Sequence, residues 1–227
     1  MDTSSQTAVS TERNGFAETS VRIAVGAVTL RGTLRVPACA DGVVLFAHGS
    51  GSSRLSPRNQ YVAKLLRDAG VATLLFDLLT DQEAQDERKV FDIALLAERL
   101  RAGAACLHEH PDTARLRQGY FGASTGAAAA LLAAAGDATV GAIVARGGRP
   151  DLAADALPMV RAPTLLIVGG TDSLVIDLNR QAAAHLPCVH QLAIVPGAGH
   201  LFEEPGALKK VAGLATEWFA RYLTKRA

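Results

Sequence analysis

Gln118-Gly119-Tyr120-Phe121-Gly122-Ala123-Ser124-Thr125-Gly126-Ala127-Ala128-Ala129-Ala130 changes character at a single serine. Before the serine stands a short apolar run, Gln118 to Gly122, which reads as a buried strand. After it comes an alanine-rich stretch expected to be helical from Thr125 to Ala135. Gly122-Ala123-Ser124-Thr125-Gly126 at this junction matches G-x-S-x-G. A strand that turns sharply into a helix pushes the serine side chain outward at the carboxyl end of its sheet. Strand and helix backbones approach closely there, so a Cβ at either flanking position would clash. The N–H of Thr125, at the helix N-terminus, then points to where an oxyanion would form. A glycine-flanked turn whose serine merely caps the helix would carry the same letters.

Outward from this junction, strand and helix patterns alternate. Val21 to Val25 and Val28 to Val36 read as a hairpin about Gly26. Val43 to Ala47 is apolar without interruption, as a strand buried on both faces would be, and Ala72 to Phe76 is another. Helices are expected from Pro57 to Asp68, ended by Gly70, and from Asp86 to His108. Beyond the junction come strands at Val140 to Ala145, Pro163 to Val168 and Gln191 to Val195, with a helix over Val175 to His185. A closing helix from Pro205 carries Leu208, Val211, Leu214, Trp218 and Tyr222 on one face. Strands separated by single helices require crossover connections, hence an α/β fold with a mostly parallel sheet and helices on both faces. Residues 1–17 read as a flexible arm and 18–227 as one domain, with no segment left for a second domain, a repeat or a large lid.

At 227 residues, 49% hydrophobic and 20% charged, the chain can bury one continuous core. A net charge of +1 gives no electrostatic footprint for nucleic acid or an anionic membrane. The three cysteines, Cys39, Cys106 and Cys188, are widely spaced, form no C-x-x-C pair and fit a reducing compartment. Met1 to Ser20 has no apolar h-region, and no apolar run reaches the roughly 18–20 residues of a membrane span. The expectation is a cytoplasmic protein, monomeric or homodimeric, acting on a small molecule.

A serine hydroxyl needs a neighbouring base to become a nucleophile. Of six histidines, His200 is best placed, in the loop Pro196-Gly197-Ala198-Gly199-His200 after the last strand. The base in turn needs a carboxylate to fix its tautomer, and Asp172 ends Gly169-Gly170-Thr171-Asp172 on the same rim. The order Ser124, Asp172, His200 is the order this arrangement requires. Asp177 falls inside the next helix, and Asp172 could instead cap that helix. His48-Gly49-Ser50-Gly51-Ser52-Ser53 follows a buried strand, and the Ser50 N–H is the expected second oxyanion donor beside Thr125. A phosphate-cradling loop would need a third glycine or a P-loop lysine, and neither is there.

These residues together resemble the α/β-hydrolase superfamily, in particular its dienelactone-hydrolase-like branch, over about Val21 to Tyr222. The resemblance implies an eight-stranded sheet without a lid domain, no cofactor, and hydrolysis of a carboxylic ester. Dienelactone hydrolases use cysteine as nucleophile where this chain has Ser124, which points to a more general carboxylesterase. Some proteins of this kind carry the hydrolase unit beside a phosphoribosyltransferase-like domain, for which these residues leave no room. The same three residues could also serve an acyltransferase or a cofactor-free perhydrolase, and the fold could serve as a catalytically silent binding module. Arg146 and Arg149, with Arg54 from the glycine loop, are candidates to clamp a substrate carboxylate; pairing with Asp151 or Asp155 is the alternative.

Overall fold

A computed structural model describes residues 10–13 and 15–224. Nine strands form one sheet in the order β1-β2-β3-β5-β4-β6-β7-β8-β9. They are β1 (Ser10–Arg13), β2 (Phe16–Val25), β3 (Val28–Pro37), β4 (Gly42–Ala47), β5 (Val71–Phe76), β6 (Arg117–Ala123), β7 (Val140–Arg146), β8 (Thr164–Gly169) and β9 (His190–Val195). From β5 to β9 all neighbours are parallel, and β1, β2 and β3 add an antiparallel edge. The eight expected strands are β2 to β9. The ninth, β1, falls in the stretch expected to be a flexible arm: Ser10–Arg13 pairs with Phe16–Thr19. Residues 1–9 of that arm lie outside the described residues.

β4, β5, β7 and β8 are buried along their whole length, which is why their sequences show no polar alternation. One apolar layer lies under α3 (Ile93–Glu109) and α4 (Thr125–Ala134), the other under α1 (Pro57–Asp68) and α6 (Ala207–Leu223). Two helical expectations need correction. The helix expected over Asp86 to His108 is two: α2 (Glu87–Val90) and α3, separated because the Asp92 carboxylate caps α3 by accepting from the Leu95 N–H. The closing helix begins at Ala207, after Gly206 in the left-handed conformation, so Pro205 lies ahead of it. The remaining helix, α5 (Ser173–His185), connects β8 to β9, and a 3-10 segment, Pro150–Met159, connects β7 to β8.

Parallel strands all finish on one rim of the sheet. The ends of β4, β6, β7, β8 and β9 therefore bring residues 48–53, 124–125, 146–149, 170–172 and 196–200 to the same side, although 75 residues separate Ser50 from Thr125.

Candidate active site

Ser124 sits at the turn between β6 and α4 with φ 52° and ψ −119°, a conformation rare for any residue with a Cβ. The ladder between β6 and β7 holds it there: the Ser124 N–H donates to the Arg146 carbonyl at 3.1 Å, and the Ser124 carbonyl accepts from Ala127 at 3.0 Å and Arg149 at 3.2 Å. A Cβ on Gly122 would strike Ala127 Cα, and one on Gly126 would strike the Ala47 and His48 carbonyl oxygens. The two glycines of the motif are thus required by close backbone approach, as expected from the sequence. The Ser124 side chain caps nothing, which removes the bland reading of the motif.

His200 Nδ1 and Asp172 Oδ2 are 2.7 Å apart. The carboxylate fixes the ring's tautomer, with Nδ1 as donor and Nε2 left for the serine side. Asp172 makes no capping bond to α5, so its alternative role as a helix cap is not realised, and Asp177 pairs with Arg180 instead. The loops carrying the two residues are fastened together. The Thr171 N–H and hydroxyl both donate to the Ala198 carbonyl at 3.0 Å, and the Gly199 N–H donates to Glu204 Oε1 at 2.9 Å. Gly169 is obligatory at this junction, since a Cβ there would press into the carbonyl oxygens of Ala198 and Gly199.

Ser124, His200, Ser50, Arg58 and Arg146 line one cavity of about 180 Å³. A larger one of about 530 Å³ lies across the 48–53 loop, bordered by Ser50, Thr125, Leu79, Ala84, Val90 and Leu96. His48 fixes that loop: its Nε2 accepts from the Leu78 N–H at 3.0 Å while Nδ1 donates to the Gly49 carbonyl at 3.1 Å. Burial pushes the His48 imidazole below the usual histidine range and keeps it in this neutral form. The expected donors Ser50 and Thr125 are brought side by side, with one difference from expectation. The Ser50 N–H is not open but donates to the Thr125 hydroxyl at 2.9 Å.

The three candidate substrate arginines divide. Arg54 is bound to Asp77, by side chain at 2.5 Å and by backbone N–H at 2.8 Å. Arg149 is bound bidentately to Asp151. Neither is available as a clamp, which corrects the sequence expectation for both. Arg146 alone faces the cavity. Sequence reasoning missed Arg58 and Phe202, which adjoin it. Ser56 caps α1 and Pro57 opens it, so Arg58 lies in a first turn at the carboxyl rim, a placement the Ser-Pro-Arg signal already implied. Among the described residues no group of three or more His, Cys, Asp and Glu side chains is placed to hold a metal ion. No helix among them is long and apolar enough to cross a membrane.

Residues 30–223 match the model of the dienelactone hydrolase family. The chain belongs to that family. The crystal structure of a dienelactone hydrolase from Anabaena variabilis ATCC 29413 superposes with a TM-score of 0.89 at 56% identity, covering 92% of this chain and 100% of that one. A cold-adapted esterase from an Arctic intertidal metagenomic library superposes with a TM-score of 0.78 at 18% identity, over 95% of this chain and 97% of that one, a likeness of fold alone. A protein of Mycobacterium tuberculosis (strain ATCC 25618 / H37Rv) named "Putative phosphoribosyl transferase" is 58% identical over 204 residues, which is 89% of this chain and 46% of that protein. The chain spans about half the length of this relative. Family and fold together give it the α/β-hydrolase architecture.

Proposed function

We propose that this dienelactone hydrolase family member is a serine esterase that cleaves a carboxylic ester, lactone or thioester of a small molecule through an acyl-enzyme. The observation that carries the reading is the 2.7 Å bond between His200 and Asp172, in a loop assembly that shares a cavity with Ser124 on its strained turn. His200 Nε2 takes the Ser124 proton as the hydroxyl oxygen attacks the acyl carbon. The carbonyl oxygen, now negative, is held by the N–H groups of Thr125 and Ser50, the latter exchanging the Thr125 hydroxyl for the substrate oxygen. The tetrahedral intermediate collapses, the carbon–oxygen bond to the leaving group breaks, and His200 protonates the departing alkoxide. Water, deprotonated by His200, then attacks the acyl carbon and releases the acid with Ser124 restored.

Two cavities meeting at Ser50 suit an ester with two unlike halves, one toward Arg146 and one toward the partly apolar space beside Leu79 and Leu96. The free cysteines support a reducing compartment such as the cytoplasm. The test is labelling with a fluorophosphonate probe, the adduct located by mass spectrometry, together with steady-state hydrolysis of short acyl esters by wild type and Ser124→Ala. The expected adduct is on Ser124, and kcat falls by about 10⁴-fold or more in the variant. Undiminished hydrolysis by pure Ser124→Ala would sink the assignment.

A further inference from the structure

Asn179 is fully buried on α5, seven residues after Asp172 and so two turns along the same side of that helix. An asparagine inside a helix is a poor choice for stability, because its amide competes with the helix's own hydrogen bonds. Here Nδ2 donates twice, to the Val175 carbonyl of the same helix at 2.8 Å and to the Gly148 carbonyl at 3.0 Å. Oδ1 has no partner. Buried polar atoms are nearly always satisfied, so the core gains nothing from this amide; what it supplies is the bond to Gly148. Among the described residues that is the one side-chain hydrogen bond to the backbone of residues 146–149.

This turn braces the reacting groups. The Arg146 carbonyl accepts from the Ser124 N–H at 3.1 Å, and the Arg149 N–H donates to the Ser124 carbonyl at 3.2 Å. Between them Gly147, at φ 52°, lies along the His200 imidazole: a Cβ there would stand 3.5 Å from Nδ1 and Cε1 of the ring. The Gly147 N–H is held by the Ile167 carbonyl at 2.8 Å, and the other end of the turn is held by Asn179.

Resting on the serine-esterase reading, we propose that Asn179 is a positioning residue for the reaction: it pins the 146–149 turn to α5, so that Ser124 and His200 keep their places relative to the Asp172 carboxylate at the start of that helix. Two adjacent glycines have no side chains of their own to anchor the turn, and glycine crosses freely between left- and right-handed backbone. Without the Asn179 donor the peptide that follows Gly148 is free to rotate. Gly147 then draws away from the imidazole, and the pull on the Arg149 N–H loosens the strained turn at Ser124. The ring can swing about its bond to Asp172 and carry Nε2 out of line with the serine oxygen, for which a displacement of about 1 Å suffices. Asn179 touches no substrate; its whole effect passes through the turn.

The experiment compares wild type with Asn179→Leu, which keeps the bulk and removes the donor, and with Asn179→Ser, whose hydroxyl is too short to reach Gly148. Ala182→Gly, a buried position on the same helix, is the control for destabilisation alone. Each is assayed well below its own Tm on a short acyl ester and with a fluorophosphonate probe. Both Asn179 variants should lose kcat and labelling rate about 10- to 100-fold with KM within about two-fold, while Ala182→Gly loses Tm and keeps kcat. Should Asn179→Leu not fold, Asn179→Ser decides. In parallel, proton NMR follows the Nδ1 proton that His200 shares with Asp172, a signal that needs no turnover; it should broaden or vanish in the Asn179 variants and persist in Ala182→Gly. Asn179 variants that match Ala182→Gly in kcat and labelling overturn the positioning role and leave the esterase standing. If wild type cleaves no ester and Ser124 takes no label, the esterase reading falls, and the NMR signal alone decides whether Asn179 holds the histidine: loss supports it and persistence refutes it.

Discussion

The Ser50 N–H donates to the Thr125 hydroxyl at 2.9 Å, so the two expected oxyanion donors are already coupled before any substrate arrives. In the proposed mechanism the hydroxyl would have two effects: positioning the glycine loop, and competing with the substrate carbonyl oxygen for the same N–H. Positioning should win, because His48 fixes the start of the loop and the Thr125 hydroxyl is what then orients the Ser50 N–H between Gly49 and Gly51. Thr125→Val is expected to lower kcat about 10- to 100-fold, part of the 10²–10³ span for a lost donor, while Thr125→Ser stays near wild type. Steady-state kinetics on a neutral ester check this; a faster Thr125→Val would show that the bond is chiefly a competitor.

Asp172 acts on the ring of His200 and not on the helix it precedes. Asp172→Asn should therefore leave the melting temperature nearly unchanged, since no cap is lost. It should lower kcat by about 10³–10⁴-fold, because the amide favours the wrong imidazole tautomer. Calorimetry and kinetics on one preparation separate the two effects, and a large loss of Tm would mean a structural role.

Gly169 is where the aspartate and histidine loops press together. Gly169→Ala puts a methyl group against two carbonyl oxygens that belong to the backbone and cannot swing aside. The expected cost is about 1–3 kcal/mol, with Tm falling about 2–4 °C per kcal/mol and kcat falling alongside. A denaturant titration reads the first, and an unaltered midpoint would contradict the contact.

His48 gives a pH dependence of known sign. Its folded value is depressed, so above about 6.5 both folded and unfolded chains hold the ring neutral and its two hydrogen bonds intact. As pH falls below 6.5 the unfolded chain takes up the proton first, and stability is lost until the folded ring also protonates. His48→Gln should flatten the loss of unfolding free energy between pH 6.5 and 5 by up to about 1.4 kcal/mol per pH unit. Chemical denaturation across that range decides it; parallel curves for variant and wild type would rule it out.

The sheet, and the rim to which it brings Ser124, Asp172 and His200, could be read from the chain because each is punctuated. Glycines mark Ser124 and the two loops ending at Asp172 and His200, and a parallel sheet sends all such loops to one rim. β1 was missed because Ser10-Thr11-Glu12-Arg13 has no apolar alternation; it forms by pairing with β2, an event in space. The break between α2 and α3 escaped because Asp92 can serve as helix interior or as cap, and only its bond to the Leu95 N–H distinguishes them. The arginines were least legible. Arg54, Arg146 and Arg149 look alike in one dimension, and which of them is left without a carboxylate depends on where Asp77 and Asp151 fall once the chain is folded.

Ser124 and Arg146 are neighbours across one rung of the sheet, joined by the Ser124 N–H and the Arg146 carbonyl at 3.1 Å. The backbones that carry the two side chains are thus fixed to each other by a strand ladder, with no flexible loop between them. A change that loosens this one rung would therefore be felt twice, in the strained turn that presents the serine and in the segment that leaves β7, so neither can drift without the other.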